Sequence, residues 1–139
     1  MGEKQPSGGV KRPVPVAART GRPGPRAPVV TIRFPIAYMK IVEQEAERLE
    51  IGRGNFLTML VKREQGMAKF ERPADAPAHF VKKADLEKIQ PYSWYVTPAT
   101  RDWVDGERLR MGMGITTYMI FQINRWLGNA RGPELRAER

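Results

Sequence analysis

The chain has 139 residues and a formal net charge of +9 at pH 7, which predicts one small domain with a polyanionic partner, nucleic acid before an anionic membrane surface. It has no Cys and a single His, His79, which excludes disulfide frameworks, Cys-based zinc sites and Cys/His nucleophiles. There is no run of 18 apolar residues and no apolar N-terminal signal region, so we expect a soluble cytoplasmic protein without a membrane role.

Residues 1–28 are rich in Pro, Gly and basic residues, and they contain no aliphatic run that could form a core. Six basic residues against Glu3 alone give this arm +5 of the total charge of +9. We expect a disordered basic arm. Its Gly-Arg-Pro sequence around Arg22, flanked by Arg19 and Arg26, resembles the core of an AT-hook, which implies a minor-groove contact. The alternative is a solvated tail that attracts phosphates non-specifically.

The first structured segment is predicted to be a strand. Val30, Ile32 and Phe34 alternate with Thr31 and Arg33, which is the period of a half-buried strand. Pro35 then ends it.

Two helices are predicted after this strand. Over residues 36–51 the apolar positions change to helical spacing, and the sequence at 52–55 (Gly-Arg-Gly-Asn) breaks the helix. A second helix is expected over residues 55–65, with Gly66 as its C-terminal stop. Residues 67–90 form a mixed connector, in which Pro73 and Pro77 prevent a continuous helix but residues 83–89 can form a short one.

Residues 91–128 repeat this pattern. Tyr92, Trp94 and Val96 alternate with polar residues in a second predicted strand, and Thr97 is expected to cap a helix that runs to about residue 111. Thr116 is expected to cap a final helix through residue 127, which is apolar on most sides and is therefore predicted to be buried. Residues 129–139 form a tail.

A fixed offset of 62 residues relates the two segments 29–66 and 91–128 without a gap. Units this short cannot bury their apolar faces alone, so each is expected to supply part of the core of the other. The two halves differ in chemistry, because Arg33 is matched by Tyr95 and Arg53 by Ile115. We expect the first copy to supply most of the polar contacts and the second copy more of the core. Seven positions are identical in the two segments: Ala37/Ala99, Val42/Val104, Glu45/Glu107, Arg48/Arg110, Gly52/Gly114, Arg63/Arg125 and Gly66/Gly128.

The order of strand, Pro, helix, Gly-containing turn and helix resembles the ribbon-helix-helix family of DNA-binding proteins. The likeness in the first copy lies in residues 31–35, in Ala46 with Leu49, and in residues 52–57. Two such units in one chain resemble the VirC-type proteins of T-DNA and conjugative transfer. The resemblance implies a mostly α fold with a two-stranded antiparallel ribbon, a tandem ribbon-helix-helix pseudo-dimer that is monomeric, and a ribbon that enters the major groove of double-stranded DNA.

The strand period assigns the candidate base contacts. If the apolar positions face the helices, then Thr31, Arg33, Ser93 and Tyr95 face outward. Arg33 is the best base reader, because its planar group can donate two hydrogen bonds to guanine. The alternative is that all four are ordinary solvated residues of a ribbon surface.

The starts of the second helices are the candidate phosphate contacts. Their backbone N–H groups point outward with the positive end of the helix dipole, and simple helix capping would use the same residues. Arg53 is expected to reinforce the first start. The phosphate-contacting residues are Arg53, Gly54, Asn55, Thr116 and Thr117.

Other polar residues suggest no chemistry. His79 stands alone in the connector, and Glu45 and Glu107 are interpreted as helix-surface or ion-pairing residues. Arg108 occupies the position of Ala46, where an apolar residue is expected. Because no nucleophile, base and oxyanion donor assemble, we expect a protein that is not an enzyme and has no metal or cofactor.

The expected function is sequence-preferring binding of double-stranded DNA. The resemblance implies an accessory role in plasmid or T-DNA transfer, with relaxase or partition-type ATPase proteins as partners. A transcriptional repressor or antitoxin remains an alternative within DNA binding, and a non-specific RNA or anionic-surface binding protein is the alternative from another class.

Overall fold

The computed structural model describes residues 29–67, 69–129 and 132–136. These residues form five helices, a two-stranded antiparallel sheet and a short parallel pair of two-residue strands. The elements in chain order are β1 Val29–Pro35, α1 Ile36–Leu49, α2 Arg53–Glu64, β2 Phe80–Val81, α3 Lys83–Glu87, β3 Ile89–Tyr95, α4 Pro98–Arg110, α5 Ile115–Leu127 and β4 Glu134–Leu135.

The mixed architecture predicted from the sequence, helices around a two-stranded antiparallel ribbon, is confirmed. β1 pairs with β3, and Val30, Ile32, Phe34 and Trp94 are buried beneath the ribbon by the helices. β1 ends at Pro35 as predicted, whereas β3 begins at Ile89, earlier than expected. None of the helices in the described ranges is long and apolar enough to cross a membrane.

The pairing of the ribbon is symmetric about one residue pair. Thr31 lies opposite Ser93, its counterpart at the offset of 62. On either side of this pair, Arg33 lies opposite Pro91 and Val29 lies opposite Tyr95. Equivalent residues therefore occupy equivalent places on the two strands.

The helices repeat with the same offset. α1 and α4 begin at Ile36 and Pro98, and α2 and α5 begin at Arg53 and Ile115. The turns between the paired helices also match, since Glu50 (φ 60°) and Gly112 (φ 70°) both have the left-handed conformation. The left-handed conformation costs Gly little free energy, but it strains a residue that has a Cβ. The turn after α1, with Glu50, is therefore more strained than the turn after α4, with Gly112.

Two predicted helix starts are wrong by two residues. α2 begins at Arg53 rather than residue 55, and Gly114 rather than Thr116 precedes α5. Both helices are preceded by a Gly in extended conformation without a side-chain cap. In contrast, Thr97 caps α4 as predicted, since its hydroxyl accepts from the Thr100 N–H at 3.2 Å.

The expectation that the second copy supplies more of the core is wrong. Most buried apolar side chains belong to the first copy, and α1 alone buries seven residues against two on α4. The reason is the connector, because α3 packs on α1 and β1. α5 is also less enclosed than predicted, since Ile120, Phe121 and Leu127 are only partly buried.

The difference in burial between the two copies also explains why a charged residue, Arg108, can occupy the position equivalent to Ala46. Ala46 is buried in the first copy, whereas the equivalent position in α4 is partly exposed to solvent. Arg108 accordingly lies on the helix surface, where its Nε is 2.9 Å from Asp105 Oδ1.

Candidate nucleic-acid interface

The outer face of the ribbon carries the four residues predicted to contact bases. Thr31, Arg33, Ser93 and Tyr95 are all exposed, on the side opposite to the buried residues of the two strands. A two-stranded ribbon is narrow enough for the major groove, where hydroxyl and guanidinium groups can read base edges. The structure thus brings these four residues together on one exposed surface, which also carries Val29, Ile89 and Pro91.

Arg33 is fixed to the opposite half through its backbone. Its N–H donates to the Thr116 hydroxyl of α5 at 3.2 Å. β1 pairs with a strand on one side only, so this bond satisfies a donor on its other edge. The Thr116 side chain is therefore a structural tie between ribbon and helix, and the prediction that it caps α5 is wrong.

The first turns of α2 and α5 present backbone N–H groups without a partner inside the helix. The first helical bonds run from Phe56 N to Gly52 O and from Tyr118 N to Gly114 O, both at 2.9 Å. The N–H groups of the preceding three residues in each helix are thus left over. Together with the helix dipole they can bind a phosphate oxygen. They belong to Arg53, Gly54, Asn55, Ile115, Thr116 and Thr117.

Arg53 is held at the start of α2. Its guanidinium lies 5.1 Å from the centre of the Tyr92 ring and its Nη1 is 3.3 Å from Glu43 Oε2. Burial raises the pKa of Tyr92, and this effect outweighs the attraction of the nearby Arg53 guanidinium, which lowers that pKa. The Arg53–Glu43 pair is exposed and weak, so a phosphate can compete for Arg53. Its counterpart Ile115 has no charge.

The start of α2 is locked to β3. Trp94 Nε1 donates to Gly54 O and to the Thr58 hydroxyl, both at 3.2 Å. A Cβ on Gly54 would lie 3.2 Å from Tyr92 Oη, which is closer than most Cβ contacts. Gly54 therefore permits a close approach, and the two hydrogen bonds from Trp94 hold the helix start against the ribbon.

One buried carboxylate was not predicted from the sequence. Glu45, with 1% exposure, accepts hydrogen bonds from Arg48, Arg72, His79 and Trp126. His79 is thus not alone, and Glu45 is ion-pairing but not on the helix surface. The sequence repeat indicated one of these contacts, because Glu45 and Arg48 match Glu107 and Arg110. The matched residues form the equivalent ion pair on α4, at 2.6 Å.

Burial alone would raise the pKa of Glu45, but the bonds from His79, Arg72, Trp126 and Arg48 outweigh it and hold that pKa well below its ordinary value of 4.5. The carboxylate is therefore ionised at neutral pH, and because it can only accept, His79 Nε2 must donate. The cluster joins α1, the connector and α5.

The predicted arm residues Arg19, Arg22 and Arg26 lie outside the described residues. Comparisons with protein-family models, with characterised proteins and with solved structures give no match to this chain.

Proposed function

We propose that this chain is a sequence-preferring double-stranded DNA-binding protein that inserts its β-ribbon into the major groove. The observation that carries the proposal is the exposed outer face of the ribbon, with the polar pair Thr31 and Ser93 at its centre and an uncapped helix start on each half. The offset of 62 relates both the ribbon pairing and the helix starts. These relations support a single-chain ribbon-helix-helix pseudo-dimer that is monomeric in solution.

Base reading is assigned to the ribbon. Arg33 donates two hydrogen bonds to O6 and N7 of a guanine, a contact worth about 1–3 kcal/mol of discrimination. Thr31 and Ser93 donate to or accept from base edges near the centre of the site, and Tyr95 offers a hydroxyl and an apolar ring. The helix starts and Arg53 hold phosphates, which sets the position of the ribbon without reading sequence.

The biological role that we propose is an accessory one in plasmid or T-DNA transfer, in which the bound protein marks a site for a relaxase or a partition-type ATPase. A transcriptional repressor or antitoxin would use the same surface. The exposed ribbon favours both over a non-specific RNA-binding protein, because A-form RNA has a major groove too narrow for a ribbon.

The test is Arg33→Ala, measured on a duplex recovered by random-sequence selection. We expect a loss of about 1–3 kcal/mol in binding free energy and relaxed preference at one base pair. Lys62→Ala is the matched control, since it removes one positive charge near the far end of α2. An equal loss on selected and random duplexes would reduce Arg33 to a phosphate contact. Equal affinity for RNA and DNA duplexes of one sequence would favour the non-specific alternative.

A further inference from the structure

The connector returns to one end of the ribbon. The Ile36 N–H donates to Lys88 O at 2.8 Å, beside the terminal ribbon pair of Pro35 and Ile89. The short helix α3 precedes this contact and packs on α1 and β1. Residues 82–88 are therefore held at a fixed place next to the proposed DNA-reading face.

This end of the molecule is basic. Lys40 Nζ lies 3.0 Å from Asp85 Oδ2, and the hydrogen bond from Lys40, with added attraction from Lys40, Lys82 and Lys88, lowers the pKa of that carboxyl. These three lysines and Lys83 are exposed, and Asp85 and Glu87 are the acidic residues of α3.

A depression of about 280 Å³ opens beside Asp85. It is lined in part by Lys40, Lys82, His79 and Arg136. Lys40 and Lys82 thus border a concave part of this surface, which Asp85 also lines, whereas Lys88 is not among its lining residues.

The other end of the ribbon lacks this surface in the described residues. The counterpart of Lys40 at the offset of 62 is Asp102, which is exposed on α4. The equivalent surface position thus carries the opposite charge, and among the residues that the structure describes this basic surface lies on one half.

We propose that Lys40, Lys82 and Lys88 form a phosphate-binding patch, which extends the DNA contact beyond the end of the ribbon at Pro35 and Ile89. Lys88 precedes Ser93 at the ribbon centre by five positions, a span of about 17 Å at about 3.4 Å per strand residue. This span reaches phosphates up to about five base pairs from the centre of the site. The patch rests on the proposed DNA binding.

The composition of the patch favours a nucleic-acid backbone over an acidic protein. Lysine is depleted from the cores of protein–protein interfaces, where aromatic residues and Arg provide the anchors. Each lysine provides a compact positive charge, which suits a phosphate oxygen.

The test is the double variant Lys82→Gln/Lys88→Gln on the selected duplex. Neither side chain makes a hydrogen bond within the described ranges, and Lys82 gives α3 no side-chain cap, so the fold is expected to persist. Each lost phosphate contact lowers the slope of log affinity against log salt by about 0.9, so we expect the slope to fall by about 1.8. Ethylation of the phosphates on the flank that the patch contacts should interfere with binding of the wild-type protein but not of the double variant.

The matched control is Lys62→Gln/Lys69→Gln, which removes the same charge elsewhere. Lys62 lies nine residues along α2 from Arg53, or about 14 Å at 1.5 Å per residue. The control double variant should keep the wild-type slope and interference pattern. If Lys82→Gln/Lys88→Gln keeps the wild-type salt slope, interference pattern and site preference, the proposed patch is refuted but the proposed function is not. A patch that binds an acidic protein instead of DNA would give this result. If the wild-type protein has no site preference, the proposed function itself fails.

Discussion

Removal of the buried charge of Glu45 is expected to destabilise the fold strongly. Its carboxylate lies 2.7 Å from Arg48 Nη2, 2.8 Å from both His79 Nε2 and Trp126 Nε1, and 3.0 Å from Arg72 Nη2. Glu45→Gln keeps the size of the side chain but removes the charge and replaces one acceptor by an NH₂ donor. Because the cationic partners then remain in a low-dielectric site without their counter-charge, the expected loss is about 3–5 kcal/mol of unfolding free energy. A small domain has about 5–15 kcal/mol in total.

The same substitution should reduce the acid sensitivity of the fold. The pKa of Glu45 is lower in the folded chain than its ordinary value of 4.5, so the unfolded chain binds the proton more readily. The stabilisation is therefore fully present above about pH 5 and is lost as pH falls below that value towards the folded pKa. Glu45→Gln lacks this contribution at every pH, and its difference from wild type should shrink on acidification.

The assay is urea unfolding followed by far-UV circular dichroism at pH 7 and at several values between pH 5 and pH 3. Glu107→Gln is the matched control, because it breaks the equivalent pair with Arg110 on an exposed part of α4 and should remain close to wild type. A Glu45→Gln protein whose unfolding free energy at pH 7 lies within about 1 kcal/mol of wild type would refute the reasoning, since a buried charge cluster must cost more to break.

Three further predictions concern the turns, the ribbon support and the arm. Glu50→Gly should raise the unfolding free energy by about 1 kcal/mol because it relieves a positive φ, whereas Gly112→Ala should lower it; urea unfolding of both checks the sign. Trp94→Phe removes both hydrogen bonds of the indole N–H and should cost about 1–2 kcal/mol, and an unchanged urea midpoint would argue against that support. Deletion of residues 1–28 should make the salt dependence of DNA affinity shallower but keep site preference, and loss of preference would move the reading role to the arm.

The sequence predicted the elements that the repeat contains. Each strand and helix is encoded by local periodicity, and two copies of the same pattern at one offset gave each element twice. The ribbon face followed from the alternation of Val30, Ile32 and Phe34, since side chains alternate in any strand. Local signals also placed the cap at Thr97, where Pro98 follows.

The sequence did not predict what the connector does, because its contacts are made between distant residues. Arg72 and His79 reach Glu45 across 27 and 34 positions of the chain, and no local pattern relates them. The same holds for Lys88, whose carbonyl joins the start of α1. The start of α5 was placed wrongly because Thr is a common cap, whereas a Gly without a side-chain cap precedes both α2 and α5.

The differences between the copies argue for a reader of asymmetric sites. A homodimer presents the same surface twice, so its two half-sites must be related by symmetry. In one chain that constraint is absent, and three mismatches on or beside the proposed DNA-contacting surface carry a change of charge: Arg33/Tyr95, Arg53/Ile115 and Lys40/Asp102. All three place the positive charge on the first copy. Matched residues such as Gly52/Gly114 instead lie at turns that the fold needs. A half-site read by the first copy should therefore tolerate fewer base changes and contribute more of the salt dependence than the half-site read by the second.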